Sequence, residues 1–527
     1  MKKYALIFLF AGLISPVFSQ GFAPLQQRKL NNAITAISNL YVDSINDKKL
    51  VETAIESMLK QLDPHSSYIP KEEVERVNEP LEGSFEGVGI QFQIFEDTLL
   101  VVQTVAGCPA EKVGVLPGDR IIYINDELIA GVKMQNSDIM KRLRGPKDSE
   151  VTVKIKRAGK NELMIFKIIR DKIPVFSVDA SYMIGKDIGY IKINNFGNTT
   201  VSEFQKAFTD LSKKGMKSLI VSLQRNGGGY LAAAQQLADE FLSKNKLIVY
   251  TQGINQPKTI LESTALGRFE TGKLIILVDE YSASASEIVS GALQDWDRAI
   301  IVGRRTFGKG LVQRQLPLAD GSMLRLTTAR YYTPTGRCIQ KSYKDGVDKY
   351  SRELITRFNH GELIHADSIH FPDSLRFQTL NLKRTVYGGG GIMPDVFVPL
   401  DTTSYTDYHN KLLARGVINK IIVQYIDQNR SELKKKYPKF DKFNSQYEVS
   451  DELLDKMKSM AEKEKIEFNA QQYKLSESLI KLELKALIAR DLWENNEYYQ
   501  IIDAENESLK KAVEILQTPG AYEKILN

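Results

Sequence analysis

The spacing of apolar positions changes several times along the chain, and each change marks a region. Over residues 25–62, Leu30, Ile34, Ile37 and Tyr41 recur on one helical face. After a polar break at residues 44–47, Ile55, Leu59 and Leu62 resume the pattern, and Leu62-Asp63-Pro64-His65-Ser66-Ser67 ends it. This predicts an N-terminal helical region over 20–80. Over 81–171 the period shortens to that of strands, in Gly89-Ile90-Gln91-Phe92-Gln93-Ile94, Leu99–Val102, Arg120–Ile124 and Val151–Ile155, with short helices predicted near 110–113 and 137–143. From 172 to 400 strands and helices alternate. Leu219-Ile220-Val221, Leu274–Val278 and Ala299–Val302 are continuous apolar runs, as in parallel strands covered on both faces. Within this core, 338–387 reads as a charged insertion without periodicity, containing His360, His365 and His370. Beyond 401 the composition turns to Lys, Glu, Leu and Ala. Leu475, Leu479, Leu482, Ala489 and Trp493 fall on one helical face, predicting a helical C-terminal region over 401–527.

The β-rich module at 81–171 resembles a PDZ domain. In that family the segment at Gly87-Val88-Gly89-Ile90 binds a terminal carboxylate. The resemblance implies a peptide added as a strand beside Gly89 to Phe92, its last side chain meeting Val88, Ile90 and Phe92.

The extreme N-terminus has a different character. Lys2 and Lys3 precede an apolar run from Ala5 to Ile14, followed by Ser15-Pro16-Val17-Phe18-Ser19. A basic start, a short apolar stretch and small residues before the cut read as a secretory signal (1–19), cleaved after about Ser19. The run is well short of the roughly 20 apolar residues a spanning helix needs. With no cysteine near the cut, a lipid-modified terminus is not expected. The expectation is a soluble exported protein, in the periplasm.

Composition narrows the partners. Among 527 residues, 71 Lys and Arg against 65 Asp and Glu give +6, too small an excess to predict a nucleic-acid partner. Cys108 and Cys338 are the only cysteines, which excludes a disulfide framework and a Cys-rich zinc site; two separate thiols are expected.

Three segments carry chemistry. Asp279-Glu280-Tyr281-Ser282-Ala283-Ser284-Ala285-Ser286-Glu287 follows an apolar strand and opens a helix. A helix cap accounts for one serine and for Glu287, but not for three serines at alternate positions. A sharp strand-to-helix turn presents a hydroxyl where a helix dipole stabilises an oxyanion. The second segment, Gly303–Gln313, begins like a phosphate-binding P-loop. Gly310, however, stands where the magnesium-binding Ser or Thr belongs, and the following residues are strand-like, so no nucleotide is expected. Lys309 serves better as a base for a hydroxyl nucleophile. None of the five histidines lies in the glycine-rich strand ends, and burial lowers a lysine from its ordinary value near ~10.4 to about 7–8. Gln313, four residues on, shares its face and would hold the amine. In the third segment, Gln224-Arg225-Asn226-Gly227-Gly228-Gly229, glycines let backbone N–H groups approach a substrate oxygen, so Gly228 and Gly229 with Ala285 are candidates for an oxyanion hole.

Together these segments resemble the C-terminal processing peptidases, also called tail-specific proteases. The likeness also takes in Leu62–Ser66, Phe307-Gly308-Lys309-Gly310, Asp320-Gly321, Tyr332-Thr333-Pro334 and Gly391–Asp395. It implies a multidomain α/β protein: a ClpP/crotonase-like protease core, an inserted PDZ domain and helical N- and C-terminal regions. It further implies Ser284 as nucleophile, Lys309 as base, Gln313 in support, and no cofactor or metal. Partners would be protein or peptide substrates with free C-termini, with the terminal helices available for homo-oligomer contacts. Where the family reads Asp-Leu-Arg before the glycine turn, this chain has Ser222-Leu223-Gln224. That departure motivates a rival reading, an inactive PDZ scaffold.

Overall fold

A computed structural model describes residues 24–526; the signal-peptide reading falls outside them. The apolar runs form a six-stranded sheet ordered Val178–Ile184, Ile188–Ile193, Ser218–Ser222, Leu274–Val278, Ile300–Gly303, Val396–Phe397. Only the first pair is antiparallel. Every residue of Leu274–Val278 is buried, because both faces are covered. On one face lie Phe204 and Leu211 of Thr200–Lys213, Leu237 of Leu231–Asp239 and Ile288 of Ala285–Asp295. On the other lie Leu509, Ala512, Ile515 and Tyr522.

That second cover corrects the expected boundary at 401. The helices Glu507–Gln517 and Ala521–Leu526 complete the cover of the core sheet, whereas Asp407–Ile502 folds around a core of its own through Leu412, Ile418, Phe443, Leu484 and Ile488. In Ala470–Leu492 the buried residues surround the helix, and Leu475, expected on the apolar face, is exposed. The stretch 338–387 is not irregular either. It holds the helix Val347–Asn359 and a ribbon of Arg376–Gln378 with Thr385–Tyr387. Arg357 of that helix is buried and donates to the carbonyls of Arg305 and Thr306 at 2.7 and 3.1 Å, bracing the loop that leads to Lys309.

A second sheet joins Ser67–Ile69, Met323–Tyr332, Leu247–Gly253 and Gln256–Glu262, with Leu311–Pro317 paired to Met323–Tyr332. It connects the N-terminal region to the strand carrying Gln313. Asp63 fastens the link by accepting from His65 N, Ser66 N and Thr327 Oγ1 at 2.8–3.0 Å.

The β-rich module closes on Leu99, Val101, Ile121, Val151 and Val153. It hangs from a two-stranded stem, Ser84–Gly87 with Asp171–Pro174. Two expected peptide-binding residues are therefore structural. Gly87 pairs with Asp171 in the stem, and Val88 is buried in the module's core at 3% exposure. Gly89, at φ +79°, has no room for a Cβ, which would lie 2.5 Å from Cys108 Cβ. Ile90 and Phe92 lie on Ile90–Phe95, a terminal strand with whose outer edge no other strand pairs among the described residues. The module's far side meets the C-terminal helices, where Arg120 pairs with Asp427 at 2.7 Å and Gln103 donates to Trp493 O at 3.1 Å.

Cys108 and Cys338 are free, the first buried in the module and the second partly buried beside the core. Replacing both by serine is expected to leave activity within about twofold, with a stability loss near 1 kcal/mol from the buried hydroxyl at 108. A Cys108–Cys338 disulfide recovered quantitatively by non-reducing peptide mapping would contradict this.

Candidate active site

Ser284 ends the turn after Leu274–Val278 and precedes Ala285–Asp295, with φ +56° and ψ −111°. Such a backbone is strained by roughly 1–3 kcal/mol in a non-glycine residue and persists only where its surroundings fix it. The flanking serines help to do so. Ser282 and Ser286 are both 0% exposed, and their hydroxyls donate to Leu223 O (2.8 Å) and Asn226 O (2.9 Å). Asp279 accepts from Tyr281 N (3.0 Å), Ser282 N (3.1 Å) and Arg225 N (3.0 Å). Of the three serines, Ser284 is the one that opens on a cavity, of about 500 Å³, which Lys309, Gln313, Gly228 and Gly229 also line.

Glu287 holds the serine turn to the lysine loop. Its carboxylate, wholly buried, accepts from Ser284 N (2.8 Å), Lys309 N (2.9 Å), Gly308 N (2.7 Å) and Thr306 Oγ1 (2.5 Å). Burial raises its pKa to about 7 in spite of those donors. Tyr331 makes a second tie, its hydroxyl lying 3.1 Å from Ser284 O and 2.5 Å from Lys309 O. From sequence alone Glu287 is a helix-capping residue and Tyr331 carries no signal.

Lys309 Nζ donates to Gln313 Oε1 at 3.1 Å. Its pKa is lowered, first by burial and then by the charge of Arg325, against the opposing pull of Glu287 and Asp63. His65 is remote from this loop in sequence, yet the fold brings it alongside. Its ring packs edge-on to Phe307 and Tyr350, and Nε2 is 2.7 Å from Tyr350 Oη. Burial, with repulsion from Lys309, pushes its pKa down to about 4, so it stays neutral at ordinary pH.

The glycine loop passes close beneath the serine. A Cβ on Gly228 would lie 2.8 Å from both Ala283 O and Ser284 Cβ, so only glycine fits. Gly228 N–H is already engaged, donating to Asn226 Oδ1 at 2.8 Å. Among the described residues the N–H groups of Gly229 and Ala285 have no partner. The Ser222/Gln224 departure is matched by the C-terminal segment, since Asn506 Nδ2 donates to Gln224 Oε1 at 2.8 Å. Ser222 itself is buried with no hydrogen-bond partner for its hydroxyl.

The family models that match are peptidase family S41 over residues 187–349, a PDZ domain over 100–157, the activating protease CtpB N-terminal domain over 19–73, and a family of unknown function over 408–494. A carboxy-terminal-processing protease of Bartonella bacilliformis is 38% identical over 320 residues, 60% of this chain and 73% of that protein. The chain belongs to the S41 peptidase family. It is a serine-type peptidase of the carboxy-terminal processing kind, and it carries a PDZ domain. The processing protease CtpB of Bacillus subtilis is 37% identical, over 59% of this chain and 65% of that relative. Among solved structures, a photosystem II D1 C-terminal processing protease is 28% identical and covers 60% of this chain and 91% of its own, with a TM-score of 0.34.

The S41 match spans Ser284 and Lys309, and the PDZ match begins beyond Gly89 and Phe92. At the cavity the PDZ domain touches a helix that belongs to neither match. Arg144, at the end of the PDZ helix Asn136–Leu143, pairs with Glu79 at 2.5 Å and lies over the Phe85 ring. Glu79 belongs to Lys71–Glu82, whose Val77, Pro80 and Leu81 line the cavity.

Proposed function

We propose that this peptidase cleaves exported proteins near their C-termini with Ser284 as nucleophile and Lys309 as base. The observation that carries this is one cavity lined by the strained Ser284, the partly buried Lys309 of lowered pKa and Gly229, whose N–H, like that of Ala285 next to the serine, has no partner among the described residues. The parallel core sheet is in keeping with the ClpP/crotonase-like arrangement.

In the first step Ser284 Oγ bonds to the peptide carbonyl carbon while its proton passes to neutral Lys309. By donating one N–H to Gln313 Oε1, the amine keeps its lone pair for Ser284. The tetrahedral oxyanion accepts from Ala285 N–H and Gly229 N–H at the positive end of Ala285–Asp295. Gly228 drops out of this role because Asn226 takes its N–H. Collapse breaks the C–N bond, and protonated Lys309 gives its proton to the leaving amine. Water then attacks the acyl ester with Lys309 again as base, returning Ser284 and freeing the new carboxylate.

Terminal-peptide mass spectrometry on exported proteins tests this reading. New termini are expected with the active protein and not with Ser284→Ala; identical termini from both would refute it.

Substrate choice is assigned to the PDZ domain, with Gly89, Ile90 and Phe92 at the open strand edge receiving the tail. Arg144 and Glu79 would pass occupancy to the cavity. Amidating the C-terminus of an unfolded protein substrate is expected to slow its cleavage about tenfold, against less than twofold for a short peptide that reaches Ser284 directly. Equal rates for the free and amidated protein would remove tail reading from the account.

Export rests on Lys2, Lys3 and the run from Ala5 to Ile14. The mature chain is expected to begin at Gln20 and to reside in the periplasm, as N-terminal sequencing of fractionated cells would reveal. A cytoplasmic chain retaining Lys2 and Lys3 would contradict it. Homo-oligomer contact is assigned to Pro24–Leu40, whose Leu30, Ile34 and Ile37 are exposed.

A further inference from the structure

Besides Lys309, the cavity at Ser284 is lined by one other basic side chain, Arg325, and the mechanism above does not use it. Arg325 lies on Met323–Tyr332 opposite Gln315, and two residues on, Thr327 stands opposite Gln313. Side chains two apart share a face of a strand, so Arg325 is on the side that carries Gln313. At about 3.4 Å per residue it lies about 7 Å along the ribbon from the glutamine that holds the base.

What distinguishes this arginine is that nothing balances it. Elsewhere, among the described residues, part-buried guanidiniums have a partner: a carboxylate, a carbonyl or, for Arg490, the face of the Tyr498 ring. Arg120, Arg144, Arg157 and Arg304 each meet a carboxylate at 2.5–2.7 Å. Arg170, Arg298 and Arg430 donate to backbone carbonyls at 2.7–3.1 Å. For Arg325, among the described residues, there is neither, and burial alone acts on its titration. The same cavity is lined by Val77, Pro80, Leu81 and Leu231 as well as Gln313 and Gln315, so the half-buried cation faces a largely apolar space without a carboxylate. A planar guanidinium with its donors free in such a place suits one ligand chemistry, a carboxylate held by two parallel hydrogen bonds.

We propose that Arg325 is a carboxylate-binding subsite of the substrate cavity, engaging an acidic group of a substrate bound at Ser284. The carboxylate has two possible sources, an Asp or Glu side chain or the substrate's own terminal carboxylate. The subsite rests on the reading of this cavity as the active site. Its charge also opposes protonation of Lys309.

Binding to the full-length Ser284→Ala protein separates these sources without requiring turnover. Fluorescently labelled peptides of one sequence are compared by anisotropy. One set is amidated and differs by Asp against Asn at successive positions; the other has neutral side chains and differs by free acid against amide. In one register or at the terminus, the carboxylate form is expected to bind about tenfold tighter. Arg325→Gln should reduce that ratio to near one, and Arg325→Lys, which keeps the charge and loses the fork, should leave part of it. Because the PDZ domain also binds tails, the deciding quantity is the change in the ratio on substituting Arg325. No carboxylate advantage at any position, or one that Arg325→Gln and Arg325→Lys both leave intact, overturns the subsite. Peptide cleavage by Ser284→Ala at the rate of the unsubstituted protein would instead overturn the active-site reading.

Discussion

Lys309→Arg is expected to lose peptidase activity as completely as Ser284→Ala, each by a factor on the order of 10⁴ or more in kcat. Arginine keeps the positive charge and much of the volume, so a lysine that served only as a cation would tolerate the change. A guanidinium stays protonated at any accessible pH and cannot accept the Ser284 proton. Lys309 can, because burial and Arg325 favour its neutral form over the opposing Glu287 and Asp63, while His65 beside it is uncharged. The activity of the unsubstituted protein should therefore rise with pH through the lowered pKa of Lys309. Removing the Arg325 charge should move that rise to higher pH, since the ammonium is then less opposed. Initial rates across pH for Lys309→Arg and Arg325→Gln check both statements. Substantial activity in Lys309→Arg would exclude lysine as the base.

Glu287→Ala is expected to be nearly as damaging, through position and not through chemistry. Its side chain is the common acceptor for Ser284 N, Lys309 N, Gly308 N and Thr306 Oγ1, in a place without water access. Truncation strands those donors and frees both the serine turn and the lysine loop. A loss of roughly 3–5 kcal/mol in stability is expected, with kcat down about 10²–10³-fold while KM changes less. Glu287→Gln keeps the volume but turns an NH₂ toward N–H donors, and should fall between the two.

The pH dependence of stability has a definite sign here. Folding raises the Glu287 pKa from 4.5 to about 7, so the folded chain holds that proton more tightly than the unfolded one. Its contribution is fully present below about 4.5 and is lost as pH rises through about 7. Thermal melts at pH 5 and pH 8 should show a smaller difference in Glu287→Gln than in the parent protein. An unchanged difference would place the titration elsewhere.

The parts legible in the sequence were those whose signal is local. Leu274–Val278 is wholly apolar, the serine triplet follows it directly, and Lys309 and Gln313 are four residues apart, so each could be read within one window. Those that were missed depend on contacts between distant segments. Glu287 reads as an ordinary capping residue until Thr306, Gly308 and Lys309 are folded against it. His65 reaches Phe307 across the chain, and Arg325 is one of many arginines until the cavity leaves it without a carboxylate. Gly228 and Gly229 were indistinguishable as letters; the side chain of Asn226 separates them. The same holds for Glu507–Gln517, whose charged composition concealed a buried face of Leu509, Ala512 and Ile515 against the core sheet. The 338–387 stretch concealed Arg357, a brace beneath the lysine loop.

The most direct test of the central claim is covalent labelling with a serine-reactive phosphonate, read by peptide mass spectrometry. One adduct per chain on Ser284 is expected, none on Ser282 or Ser286, and labelling at least 100-fold slower in Lys309→Met. An adduct on another serine, or equal labelling of Lys309→Met, would contradict the assignment of Ser284 and Lys309 as the working pair.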